Sequence, residues 1–469
     1  MSYSTKKSTL VKRIVSALAA GVLGFTSMAL SPIIASAALS NDNAAFMKAM
    51  GAGWNLGNSL DANDISGPGS ETCWSNPKTT KAMIQKVHAA GFQSIRIPVS
   101  WANHMDGDYQ IDYEWMSRVK EVVDYAYNDG MYVILNTHHD NLYNWQHGIG
   151  YYPDDAHRDE SLKFLGEVWT QISYRFAGYG DRLIFETMNE PRLRGTGAEW
   201  WFDTNNPSRE CVRAVQLINE YNQKCVDTIR AAGSGNKTRY IMVPGYVASH
   251  FNALDSRFVL PSDPVTTNRN RIAVSIHAYR PYELCLTDSA NDKTAFDSAG
   301  KKELDEMFAN INNKFLSKGV PVIIGETGIS DKNNPAARKE WLKYYYTLGK
   351  RYSVPCFLWD NNTVGGSDRG ENHGHLDRTA LTWRDPQNIE AIMAVMKPSG
   401  TGAVIYGDLT NDGEVDTEDI ARMQQYISHW GVTVDIRAAD VNADGEIDTE
   451  DLARLQQYVS KWAVKLGVP

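Results

Sequence analysis

Two glutamates stand where proton transfer and nucleophilic attack could both be served. Glu190 ends the stretch Leu183-Ile184-Phe185-Glu186-Thr187-Met188-Asn189-Glu190-Pro191, an apolar run of strand length closed by a proline. Pro191 cannot donate to a sheet ladder, so the strand is expected to stop there with Glu190 at its carboxyl tip. Glu326 has the same setting in Pro321-Val322-Ile323-Ile324-Gly325-Glu326-Thr327. One glutamate at a strand end is ordinarily a solvated terminus or a helix cap. Two in matching contexts, if the fold brings them to one barrel mouth, are the machinery that cleavage of a glycosidic bond with retention needs. One attacks the anomeric carbon; the other protonates the leaving oxygen and then activates water, with the carboxyls about 5–5.5 Å apart.

The neighbours support that chemistry. Arg96 interrupts the apolar run Ile95-Arg96-Ile97-Pro98. A buried arginine needs a carboxylate partner, and Glu326 is the expected one, held ionised by the guanidinium. His138, His139 and Asp140 close a third strand, His277 and Tyr279 a sixth, and Trp359 an eighth. Each break in apolar pattern falls at the same end of its strand. Glu186 shares the face of Glu190 under the two-residue period but lies deeper, and reads as structural. His138 and His139 lack the His-Glu-x-x-His arrangement of a catalytic zinc site, so no metal or cofactor is expected for catalysis. Trp359 offers a flat ring on which a sugar can stack.

Strand-like runs alternate with helical ones from about residue 44 to residue 396. The expected strands are Gly51–Asn55, Ser94–Val99, Tyr132–Thr137, Leu183–Asn189, Tyr240–Pro244, Ile272–Ala278, Val322–Gly325 and Cys356–Asp360. Helical stretches between them include Thr79–Ala90, Tyr113–Asn128, Glu160–Phe176, Arg209–Ala231, Glu303–Ser317 and Ala336–Lys350, with apolar residues recurring at three and four. Gly91, Gly130, Gly233 and Gly319 follow four of them as stop signals. Eight such units predict an α/β chain of (β/α)₈ TIM-barrel type. The competing doubly wound sheet would need a phosphate-binding turn after the first strand, which Trp54 and Leu56 crowd. In a barrel built in chain order, the strands bearing Glu190 and Glu326 lie three steps apart, so their tips can face each other across the mouth.

The two ends of the chain differ from this middle. The formal charge is −9, which argues against a nucleic-acid partner. Residues 1–37 carry Lys6, Lys7, Lys12 and Arg13 and no acid, then an apolar run from Ile14 to Leu30 and the small residues Ala35-Ser36-Ala37. That order is a secretory signal rather than an anchor, and no later segment is apolar enough to span a bilayer. The five cysteines, Cys73, Cys211, Cys225, Cys285 and Cys356, show no paired spacing and are expected to be mostly reduced. A Pro/Gly/Ser joint at residues 398–403 separates the catalytic segment, 38–397, from an acidic tail, 404–469.

The tail repeats itself with a period of 32 residues. The first loop presents Asp408, Thr410, Asp412, Asp416 and Asp419, with Glu414 offering its carbonyl; the second presents Asp440, Asn442, Asp444, Asp448 and Asp451, with Glu446 by its carbonyl. Oxygens at positions 1, 3, 5, 9 and 12, with glycine at 6, form a calcium loop. Two Ca²⁺ ions are therefore expected, the first held more weakly because Thr410 is a poorer ligand. An amphipathic helix follows each loop, Ile420–Ile427 and Leu452–Val459.

The barrel resembles glycoside hydrolase family 5, the retaining cellulase-type family, and within it the subfamily 4 endoglucanases. The resemblance is carried by Gly53-Trp54-Asn55-Leu56-Gly57-Asn58, Arg96-Ile97-Pro98-Val99-Ser100-Trp101, Asn136-Thr137-His138-His139-Asp140, Met188-Asn189-Glu190-Pro191-Arg192, His277-Ala278-Tyr279 and Gly325-Glu326-Thr327. It implies Glu190 as acid/base, Glu326 as nucleophile, Arg96 and Tyr279 as holders of Glu326, and Asn189 as the partner of a sugar hydroxyl. It also implies that His138 and His277 orient the site and that Trp359 stacks on a glucosyl unit. The tail resembles a type I dockerin, which implies a cohesin module on a scaffold protein as partner. Thr417-Glu418 and Thr449-Glu450 fall where dockerins carry partner-selecting residues, and the near symmetry implies binding in two orientations. The expected protein is a secreted cellulosomal endo-β-1,4-glucanase. A xyloglucanase, lichenase or mannanase on the same scaffold, or a non-catalytic glucan-binding protein, are the alternatives.

Overall fold

A computed structural model describes residues 41–141, 149–264, 271–286, 293–365, 371–397, 404–410, 412–428, 430, 432 and 434–468. The expected secretory signal, residues 1–37, and the expected joint at 398–403 lie outside these residues. Eight parallel strands close into a barrel in chain order: β1 (Ala52–Asn55), β2 (Ser94–Ile97), β3 (Tyr132–Asn136), β4 (Leu183–Glu186), β5 (Ile241–Ser249), β6 (Ile272–His277), β7 (Val322–Thr327) and β8 (Cys356–Leu358). β1 pairs with both β2 and β8, which completes the ring.

Helices pack around it: α1 (Asn41–Met50), α2 (Lys81–Ala89), α3 (Tyr113–Tyr127), α4 (Arg158–Arg175), α5 (Arg209–Ala231), α6 (His250–Leu254), α7 (Tyr282–Cys285), α8 (Ser298–Ile311), α9 (Pro335–Tyr352) and α10 (Pro386–Met396). Thr80, Asp112 and Ser208 cap α2, α3 and α5 by accepting a backbone N–H one turn ahead. Gly91, Gly130, Gly233 and Gly319 all adopt the left-handed conformation expected of stop signals.

The inside of the barrel is stratified. Ile134, Ile184, Met242, Ile323 and Phe357 form an apolar floor with Met47 and Met50 of α1. Two residues further along β4 on the same face comes Glu186, and Arg96 on β2 is likewise fully buried. The apolar layer thus gives way to a charged one toward the carboxyl ends of the strands.

Several strand ends differ from the expectation: β5 runs on to Ser249 rather than stopping at Pro244, β2 stops at Ile97 rather than Val99 and β8 at Leu358 rather than Asp360, and the ends of β4 and β7 bear directly on the site. β4 stops at Glu186 rather than Asn189. The carbonyl of Thr187 accepts from the Thr137 hydroxyl and the Trp169 indole instead of extending the ladder. Glu190 therefore sits on a short loop beyond the strand. β7 runs on to Thr327, so Glu326 lies within it. A register shift between Ile276 and His277 sets His277 opposite Glu326.

The tail holds α11 (Thr417–Ile427), α12 (Ile436–Ala439) and α13 (Thr449–Val459) around Leu409, Met423, Ala439, Val441 and Leu455. α11 and α13 begin three residues earlier than their apolar pattern predicts. Asp416 and Asp448 act as N-caps, with Asp419 and Asp451 completing capping boxes.

Candidate active site

Arg96 is the hub of the barrel mouth. Its Nε donates to Glu186 at 2.8 Å, one Nη to Glu326 at 2.6 Å and to Asn55 Oδ1 at 3.1 Å, and the other Nη to Asn189 Oδ1 at 2.7 Å. The expected Arg96–Glu326 pair is present. Glu186, read from sequence as structural, is an equal partner of the same guanidinium and is further held by Ser275 at 2.5 Å and Asn136 at 3.0 Å. Burial opposes its charge, yet Arg96 brings its carboxyl down to about 2. Burial likewise works against the Arg96 cation, and the two carboxylates more than offset it.

His277 joins the two glutamates. Its Nδ1 lies 2.8 Å from Glu190 Oε1 and 3.5 Å from Glu326 Oε2. One oxygen of each carboxyl and a ring nitrogen of His277 all fall within 4.8 Å of one another. Despite burial, Glu326, Glu186 and Glu190 raise the imidazole to about 9, so it is protonated at neutral pH. The guanidinium does not draw Glu326 down as expected: burial pushes its carboxyl up, with Glu190 adding to it against His277 and Arg96, while the His277 hydrogen bond draws Glu190 down against burial. Like charges this close titrate as one coupled group rather than as two independent acids. Gly325 permits the crowding: a Cβ there would lie 3.3 Å from Glu186 Oε1 and 3.4 Å from His277 Nε2.

Tyr279 donates its hydroxyl to Glu326 Oε2 at 3.0 Å. Burial holds the phenol well above its ordinary range, so it stays a donor. A hydrogen bond to a charged group contributes about 1.5–3 kcal/mol, so Tyr279→Phe is expected to lower kcat/KM by about 10- to 100-fold. An unchanged melting temperature would show that the loss is chemical rather than structural.

His138 accepts no charge. Burial lowers its imidazole, Asn136 lies 3.0 Å from its Nδ1, and its ring is parallel to that of Trp359 with centroids 6.0 Å apart. Trp359 is only 7% exposed, and Gly57 makes room for its indole, since a Cβ there would come within 2.7 Å. Asp61, His138 and His139 form a second acid–histidine cluster. Asp61 accepts the backbone N–H groups of Asn58 and Ser59, which marks it as the anchor of the loop after β1.

Arg192 and Trp200 were not singled out from sequence. Arg192 donates to the Glu190 carbonyl at 3.0 Å, lies 3.7 Å from its carboxylate, and carries the exposed Trp200 ring 3.9 Å from its guanidinium. The signal available was its position immediately after the Glu190-Pro191 pair.

The acidic loops of the tail hold their oxygens differently. Asp419 Oδ1 accepts from Leu409 and Thr410, and Asp451 Oδ1 from Val441 and Asn442. Asp408 and Asp440 each take the N–H of the loop glycine. Gly413 and Gly445 have φ of 91° and 92°, the turn such a loop requires. Among the described residues Thr410 Oγ1 is buried, with no hydrogen-bond partner beyond the nearby Asp419 carboxylate. Among the described residues the loop carboxylates are not gathered in threes as the barrel-mouth groups are. All five cysteines are free thiols.

Similarity to known proteins agrees with this geometry. Residues 59–365 match the family model for cellulase (glycosyl hydrolase family 5), and residues 406–460 match that for the dockerin type I domain. Endoglucanase A of Clostridium longisporum is 42% identical over 377 residues, covering 78% of this chain and 69% of that protein. The solved family 5 lichenase from Caldicellulosiruptor sp. F32 superposes with a TM-score of 0.72 at 42% identity, over 77% of this chain and 96% of that one. A GH5-4 broad specificity endoglucanase from Ruminococcus flavefaciens gives a TM-score of 0.69 at 41% identity, over 76% and 99%. The closed eight-stranded barrel, the carboxyl pair at its mouth and these matches together place the chain in glycosyl hydrolase family 5, the cellulase family, with a type I dockerin domain at its C-terminal end.

Proposed function

We propose that the chain is a secreted, cellulosome-attached endo-β-1,4-glucanase that cleaves internal β-1,4 bonds of cellulose or β-glucan with retention. The observation carrying this is the Glu190–His277–Glu326 cluster, with Arg96 fixed on Glu326. Glu326 has a permanent cation at 2.6 Å and a phenol at 3.0 Å, which suits the carboxylate that attacks the anomeric carbon. The cationic contact of Glu190 at hydrogen-bond distance is His277, which can give up its proton. The Glu190–His277 pair thus carries the proton that the leaving oxygen needs. Once that oxygen departs, Glu190 takes a proton from water, which opens the glycosyl ester on Glu326. Asn189, its carbonyl taken by Arg96, keeps its NH₂ for a sugar hydroxyl. Trp359 would stack on a glucosyl unit.

Hydrolysis of carboxymethylcellulose, lichenan, xyloglucan and mannan side by side tests the substrate, with the anomer of the first product followed by NMR. Random shortening of carboxymethylcellulose with β-product is expected. An α-product would reject retention, and mannan as the preferred polymer would reject the glucanase. The lichenase neighbour makes mixed-linkage glucan the second reading.

The family needs no cofactor for catalysis, and dockerin domains bind calcium. The side chains at the loop positions named above offer oxygen atoms, the buried Thr410 Oγ1 among them, which fits a hard cation. Asp408, Thr410, Asp412, Glu414, Asp416 and Asp419 would hold one ion, and Asp440, Asn442, Asp444, Glu446, Asp448 and Asp451 the other. Calcium would neutralise carboxylates that otherwise repel. Chelation is therefore expected to speed amide exchange in α11 and α13 by at least tenfold and to leave hydrolysis of soluble glucan unchanged. Equal exchange with and without chelator would count against both sites. Residues 1–37 would direct export, leaving 38–397 as the catalytic domain, 398–403 as the linker and 404–469 as the module that binds cohesin.

A further inference from the structure

We propose that the barrel holds the first calcium-loop repeat and leaves the second as the face presented to cohesin. The inference rests on the docking role given to the tail above. Arg351, in the last turn of α9, reaches the first repeat twice: Nη2 lies 2.9 Å from Asp412 and Nη1 2.7 Å from Glu418. The charge of Asp408 acts on the adjacent Lys350. Glu418 belongs to one of the two Thr-Glu pairs, so a barrel side chain occupies a group the partner would read.

The second repeat is the internal control. Its helix Thr449–Val459 differs from Thr417–Ile427 at only three positions, Ile420/Leu452, Met423/Leu455 and Ile427/Val459. Yet Glu450, the counterpart of Glu418, is exposed and forms no ion pair among the described residues. Asp444, the counterpart of Asp412, is exposed and bonds to Asn442 within its own loop at 2.7 Å. Asp412 is 13% exposed. Glu418 is itself 56% exposed, so the two nearly identical surfaces differ in whether a barrel guanidinium pairs with them rather than in burial. Partly exposed ion pairs of this kind shift a balance by up to about fivefold each, and salt weakens them. A partner that reads either repeat equally in the isolated tail would therefore choose the second in the whole enzyme. The barrel would then take one fixed polarity on its scaffold.

The full chain with saturating calcium tests this by amide hydrogen exchange. The first turn of α11 is expected to exchange about fivefold more slowly than that of α13. Arg351→Glu, or added salt, should erase the difference while glucan hydrolysis stays unchanged. Binding to a type I cohesin module gives the second readout. Exchanging Thr449 with Glu450 should weaken binding about tenfold, and exchanging Thr417 with Glu418 less than twofold. In Arg351→Glu the two exchanges should have equal effect. Equal amide exchange in α11 and α13 of the unaltered chain, or equal losses from the two swaps, overturns the proposal. If no type I cohesin binds, the docking role fails, and the α11–α13 contrast alone then decides the contact with the barrel.

Discussion

Glu326→Gln is expected to lower kcat on β-glucan by about 10⁴-fold or more, as removal of a covalent nucleophile does. The amide keeps the shape of the side chain and an oxygen for Arg96 and Tyr279, so sugar binding should change only a few-fold. A calorimetric titration with cellotetraose beside a turnover assay separates the two quantities. Glu190→Gln should differ in kind. It should cripple hydrolysis of polymer, where the leaving oxygen needs a proton, yet still release an activated phenol from an aryl cellobioside and then stall at the glycosyl ester. Unchanged hydrolysis by Glu326→Gln would remove the mechanism and leave a glucan-binding barrel.

Arg96→Met carries the other large effect. It strands Glu186 and Glu326, both buried, without the cation they share. Removing one partner of a buried ion pair costs about 3–5 kcal/mol. Activity should fall with it, because the attacking carboxylate loses its counter-charge. The pH dependence gives the sign. In the unaltered chain the Glu186 carboxyl stands at about 2 rather than 4.5. Its stabilising contribution is complete above 4.5 and fades as the pH falls toward 2. In Arg96→Met burial without a cation raises the same carboxyl above 4.5, so protonation now favours the folded state. The deficit in melting temperature should therefore shrink between pH 7 and pH 5. Arg96→Lys should recover little, since one ammonium cannot reproduce the fork that serves Glu186, Glu326, Asn55 and Asn189 at once. A deficit independent of pH would mean that the ion pairs are not its source.

Much of the site was legible because its signals are local. A proline after Glu190, glycines after helices and an arginine inside an apolar strand each state a backbone or burial requirement at one position. The strand ends were less legible. β4 was expected to reach Asn189, yet Thr137 and Trp169, from β3's end and α4, capture the carbonyl that would have continued it. The partner of Arg96 was half read for the same reason. Glu186 follows Ile184 on the inner face, which the two-residue period shows, but the period does not say which charge it will meet.

Sequence by itself determined the eight units and the duplicated acidic loops, and it singled out the two glutamates that the barrel brings together, since periodicity, turn chemistry and composition act over a few neighbouring residues. Only the tertiary structure decided that His277 stands between those glutamates, that one guanidinium serves two carboxylates, and that Arg351 pairs with the first repeat while, among the described residues, its twin has no such partner. Those facts depend on strand register and on contacts between segments tens to hundreds of residues apart. Such contacts form where packing closes the barrel, and no stretch of chain encodes them alone.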